Sequence, residues 1–132
     1  MFKRSLFLGI IAGVLAGIAS VIYQQVYTSS QENADFSMVT KPVGIIAAST
    51  IGCILASVGF WLLTKWKKNA GEIIFNFLFS ILSFASILFI FGVRLPKGVT
   101  ADPALFTGLT VPMHFFPALA WFTLKPLFIK SN

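Results

Sequence analysis

The sequence predicts an all-α membrane protein, four transmembrane helices in an antiparallel bundle with both termini cytoplasmic, and three observations carry that prediction. The 132-residue chain is 57% hydrophobic and only 11% charged, whereas soluble domains carry about 25% charged residues. Its apolar residues gather into four continuous runs, each close to the ~20 residues with which a helix crosses a bilayer. Its basic residues flank those runs one-sidedly. Barrel strands would be shorter, with alternating polar positions, and hydrocarbon offers unpaired backbone no partner, so continuous runs of this kind are expected to be helices. The spans, approximately 6–27, 43–63, 73–91 and 103–124, fill nearly the whole of a single transmembrane domain, 1–132, and leave no room for a soluble one.

The net charge of +6 is a matter of topology rather than of nucleic acid. Lys3, Arg4, Lys65, Lys67, Lys68, Lys125 and Lys130 fall on one side of the expected bundle. Lys41, Arg94 and Lys97 fall on the other, accompanied by Glu32, Asp35 and Asp102. Positive charge favours the cytoplasmic face, and amphipathic aromatics favour the interfaces. Trp61, Trp66 and Trp121 cluster near the inner boundary, and Tyr23 and Tyr27 near the outer one. Membrane lipids, through their phosphates, are the expected anionic partners.

The first span opens with Lys3 and Arg4 and carries small residues at Gly17 and Ala19, the outline of a cleavable secretion signal. The apolar run continues through Val26, so residues 1–19 are expected to stay. Gly9, Gly13 and Gly17, interleaved with Ala12, Ala16 and Ser20, occupy an arc of roughly 140° on a helix. Phe7, Ile10, Ile11, Val14, Ile18 and Ile22 lie opposite. Such small-xxx-small faces let membrane helices approach closely. The second span repeats the device with Gly44, Ala48, Gly52 and Ala56. Both faces are expected to pack against helices, within this bundle or in a homo-oligomer. No strand or phosphate loop accompanies the glycines, which sets a nucleotide site aside.

The third span places Glu72, Asn76, Ser80 and Ser83 within an arc of about 80°. A glutamate suits a helix N-terminus. An amide in hydrocarbon needs partners, so Asn76 is expected either to bond across helices or to line an inner polar vestibule.

Before the fourth span, Asp102 is a good N-cap and Pro103 suits the first helical position. Pro112 and Pro117 lie inside the span and predict a bend. Thr107, Thr110, His114, Ala118 and Trp121 share one face. His114 is the chain's single histidine and falls near mid-span, level with Ser83 and Cys53 of neighbouring spans. Its expected partner is Ser83 or a carbonyl freed by Pro117, with Cys53 a weaker candidate. The candidate functional cluster is therefore His114, Ser83, Asn76, Glu72 and Thr110.

The chemistry available to that cluster is narrow. Zinc takes about four ligands, so no metal is expected, nor any cofactor. Cys53 is the single cysteine, which removes disulfides and CxxC chemistry. A Cys53–His114 nucleophile pair competes with ordinary apolar packing of the thiol. No catalytic constellation emerges, and none of the four acids lies at mid-span, where proton-coupled carriers usually hold a carboxylate.

The arrangement resembles a group of uncharacterised bacterial four-helix membrane proteins classed as a domain of unknown function. The residues that carry the resemblance are GIIAGVLAG, VGIIAASTIGCILASVGFWLL, KWKK and MHFFPAL. The stretch FFPALAWFTLKPLF departs from the alanine-rich last helix of that group. The resemblance implies an integral protein of the bacterial cytoplasmic membrane and brings no established activity. The expected function is non-enzymatic: binding a lipid or hydrophobic small molecule, or packing against another membrane protein. The alternative is a small transporter or channel subunit for protons or a small solute, using His114.

Overall fold

A computed structural model describes residues 1–31, 36, 41–92, 94–95, 97 and 102–130. Glu32 and Asp35, the acids expected in the first outer connection, lie outside the described residues. Four helices follow one another: α1 (Phe2–Ser30), α2 (Pro42–Trp66), α3 (Gly71–Gly92) and α4 (Pro103–Phe128). Each is long and apolar enough to cross a membrane. The helix starts follow the sequence chemistry. Pro42 and Pro103 open α2 and α4, where a missing N–H costs nothing. Asp102 caps α4, its Oδ1 accepting from the Ala104 N–H at 2.9 Å.

The helices form a ring in which α1 packs on α2 and α4, and α3 packs on α2 and α4, while α2 and α4 touch briefly across the middle. Among the described residues α1 and α3 do not meet. The α1–α2 contact is the tightest. Gly9, Ala12, Gly13, Ala16, Gly17 and Ser20 are all buried, whereas Phe7, Ile10, Val14, Ile18 and Ile22 are exposed. A methyl group built on Gly13 would sit 2.5 Å from Thr50 Cα, and one on Gly17 2.7 Å from Ile46 Cα. On Gly9 it would sit 2.6 Å from the Cys53 carbonyl oxygen. Only bare backbone permits that approach, and in lipid close approach is the main source of helix–helix attraction. Ser5 adds a hydrogen bond from its hydroxyl to the Ser57 carbonyl at 2.9 Å.

The small face of α2 is placed differently from the sequence expectation. Gly44 and Gly52 have nothing within 4 Å of where a Cβ would stand, and Ala48 is exposed. What α2 presents to α1 is the neighbouring strip of Ile46, Ser49, Thr50, Cys53 and Ser57. A helix has one contact strip per neighbour. Because α1 already supplies the bare backbone, α2 can meet it with branched and hydroxyl side chains.

The α1–α4 seam is held by tyrosines. Pro112 has no N–H for the Gly108 carbonyl, and Tyr23 donates its hydroxyl to that oxygen at 3.0 Å. Tyr27 donates to the Leu105 carbonyl at 2.8 Å. α4 runs as one helix through Pro112, Pro117 and Pro126. Two apolar clusters close the bundle. One joins Leu8, Ala12, Cys53, Phe60, Phe75, Trp121 and Ile129, and the other joins Phe36, Ile90, Phe106 and Leu109.

Candidate functional site

The exposed small residues of α2 leave a hollow. Across it stands α3, and α4 closes the back, enclosing a partly open crevice of about 630 Å³. From α2 it is lined by Ala48, Gly52, Leu55, Ala56 and Gly59, and from α3 by Phe75, Leu78, Phe79, Leu82 and Ser83. These positions recur at three- and four-residue spacing, one stripe per helix. Thr110, Met113, His114 and Pro117 supply the α4 wall. α2 and α3 meet closely at the short turn that joins them, where a side chain on Gly71 would collide with the Leu63 carbonyl.

His114, Ser83 and Thr110 thus come together in one apolar cavity. The His114 Nδ1 lies 2.9 Å from the Thr110 carbonyl. A carbonyl oxygen only accepts, so Nδ1 is the donor. The partner is on its own helix, one turn back, and is neither Ser83 nor a carbonyl freed by proline. The Thr110 hydroxyl donates to the Phe106 carbonyl at 2.8 Å. Cys53 is fully buried beside the crevice rather than in it, its Sγ 3.9 Å from the Pro117 carbonyl.

Asn76 and Glu72 form a separate group near the other end of α4. Their shared partner is Lys125, whose Nζ lies 2.6 Å from Glu72 Oε1 and 3.4 Å from Asn76 Oδ1. Lys125 is only 8% exposed, and its ammonium also faces the Phe60 ring at 5.2 Å. Beneath it Trp121 is fully buried, with ring centroids of Phe60, Phe75 and Phe79 at 6.1, 5.6 and 6.1 Å. The Trp121 Nε1 has no hydrogen-bond acceptor among the described residues. The aromatic faces around it are the weak acceptors such an N–H can use.

The contacts of three residues escape the sequence reading. Lys125 looks like a cytoplasmic flanking charge, yet it continues the 114, 118, 121 face by four residues, and that spacing was the available signal. Tyr23 and Tyr27 look like interface markers, yet Pro112 leaves a carbonyl that demands a donor. Among the described residues no group of three or more His, Cys, Asp or Glu side chains is placed to hold a metal ion. No protein-family model, curated protein or solved structure matches this chain.

Proposed function

We propose that the chain is an integral multi-pass protein of the bacterial cytoplasmic membrane, an antiparallel bundle with both termini cytoplasmic. In this reading it works without catalysis, by holding a lipid-like or other hydrophobic small molecule in the crevice between α2 and α3. The observation that carries the reading is the crevice itself. Its volume of about 630 Å³ falls within the range of small-molecule sites, about 300–1,000 Å³, and its walls are apolar with a few convergent polar groups. Gly52 faces it with nothing within 4 Å of a Cβ position among the described residues, so those residues leave the gap unfilled.

Gly52→Phe uses that gap as a test. The new ring enters empty space and should leave the bundle intact while filling the crevice. Native mass spectrometry of the purified protein is expected to show a retained hydrophobic molecule in the wild type and its loss in Gly52→Phe at unchanged thermal stability. Equal retention by both proteins would sink the proposal.

A second reading, a small transporter or channel subunit, is favoured by one observation: His114 lines the crevice near the middle of α4. Water must then reach it. Single cysteines placed from Thr107 to Trp121 on a Cys53→Ala background would react with a water-soluble maleimide around His114. Closure of all these positions under every condition removes transport.

A further inference from the structure

The crevice has a recognisable hydrogen-bonding signature, and it narrows the chemistry of the occupant. Three of the hydroxyl groups in its wall are already used on their own helices. Ser20 donates to the Ala16 carbonyl at 2.8 Å, Thr110 to Phe106 at 2.8 Å, and Ser86 to Ser83 at 2.7 Å. The His114 Nε2 and the hydroxyls of Ser83 and Ser49 have no hydrogen-bond partner among the described residues; of these, only Nε2 is unable to donate when the imidazole is neutral. Because Nδ1 donates to the Thr110 carbonyl, Nε2 of the neutral imidazole carries a lone pair and accepts. Among the described residues no lysine, arginine, aspartate or glutamate lines the crevice. A phosphate, carboxylate or ammonium group would enter without a counter-charge, at a large desolvation cost. His114 is exposed in the bundle, and a plain acyl chain laid over it would cover Nε2 without giving it a partner, at the desolvation cost of an unmet acceptor.

From this pattern we infer that the crevice takes a neutral amphiphile with a single hydroxyl on a large apolar body, such as a long-chain or polycyclic alcohol. The hydroxyl donates to His114 Nε2, and its oxygen is free to accept from the Ser83 hydroxyl. The inference rests on the reading of the crevice as a ligand site and adds the identity of the head group. A hydroxyl in hydrocarbon is as unsatisfied as the imidazole that faces it, so pairing them removes two penalties at once.

The test compares two photoreactive probes on the full-length purified protein: a diazirine-bearing hexadecanol and its methyl ether, which differ only in the O–H donor. The alcohol is expected to bind the wild type about tenfold more tightly, the worth of one well-placed buried hydrogen bond. His114→Phe should abolish that preference, whereas His114→Gln, which keeps a carbonyl acceptor, should restore most of it. Equal affinity for alcohol and ether in the wild type overturns the hydroxyl inference and leaves the crevice reading standing. Persistence of the preference in His114→Phe overturns it too, since the donor is then recognised elsewhere. Failure of both probes to bind, or binding indifferent to Gly52→Phe, overturns the crevice reading and this inference with it. The wild-type comparison needs no variant, so a misfolded substitution cannot hide the answer.

Discussion

Replacing Gly13 by alanine adds one methyl group at the centre of the α1–α2 contact. That methyl would lie 2.5 Å from Thr50 Cα and 3.0 Å from the Ser49 carbonyl oxygen. Both are backbone atoms and neither can rotate away. Carbon atoms rest at about 3.5–4.0 Å, so the helices must part by about 1 Å. Gly9 and Gly17 touch the same helix, and the separation loosens their contacts as well. A gap of roughly 0.5–1 Å forfeits a quarter to a half of each dispersion well, and lipid supplies no hydrophobic drive to compensate. Overpacking of this kind costs about 1–3 kcal/mol, against a helix-propensity gain of roughly 0.5–1 kcal/mol for alanine over glycine. The expected net loss is about 1–2 kcal/mol. Gly52→Ala is the matched control: the same chemical change meets nothing within 4 Å and should be neutral or slightly stabilising. Equilibrium unfolding in mixed detergent–dodecyl sulfate micelles, followed by tryptophan fluorescence, measures both. A Gly13→Ala protein as stable as Gly52→Ala would refute the claim that bare backbone is what holds α1 on α2.

The Lys125–Glu72 pair is unequal, with side chains 10% and 37% exposed. Glu72→Leu strands a buried ammonium and should cost roughly 2–3 kcal/mol, somewhat below the range for fully buried pairs; Lys125→Met leaves a carboxylate that water can reach and should cost about 1 kcal/mol or less. The double variant should be close to Lys125→Met alone, and a larger loss in Lys125→Met than in Glu72→Leu would contradict this account. Tyr23→Phe removes the donor to the Gly108 carbonyl and should cost about 1 kcal/mol. In a Pro112→Ala background a backbone N–H returns to that carbonyl, so the same substitution should cost far less; equal losses in both backgrounds would mean that the tyrosine serves another purpose.

Much of the helical layout is local chemistry and was legible as such. The start of α4 is marked by Asp102 and Pro103 because capping involves only residues adjacent in sequence, and the cap is present at 2.9 Å. The glycine stripe of α1 was legible for the same reason, since its face follows from helical spacing alone. The matching stripe on α2 was not. Spacing places Gly44, Ala48 and Gly52 on one face, but it does not say whether a neighbouring helix or an open cavity meets that face. The candidate cluster divided likewise: His114, Ser83 and Thr110 line the crevice, while Glu72 and Asn76 belong with Lys125.

By itself, then, the sequence determined four helices apolar enough to span a membrane and which residues share each face, because those properties depend on composition and on the helical repeat. Only the tertiary structure decided which face meets which neighbour. It turned Lys125 from a flanking charge into the buried partner of Glu72, gave the proline-freed Gly108 carbonyl to Tyr23, and left the small face of α2 empty beside His114. Those outcomes depend on where helices distant in sequence sit relative to one another, and no local rule carries that information.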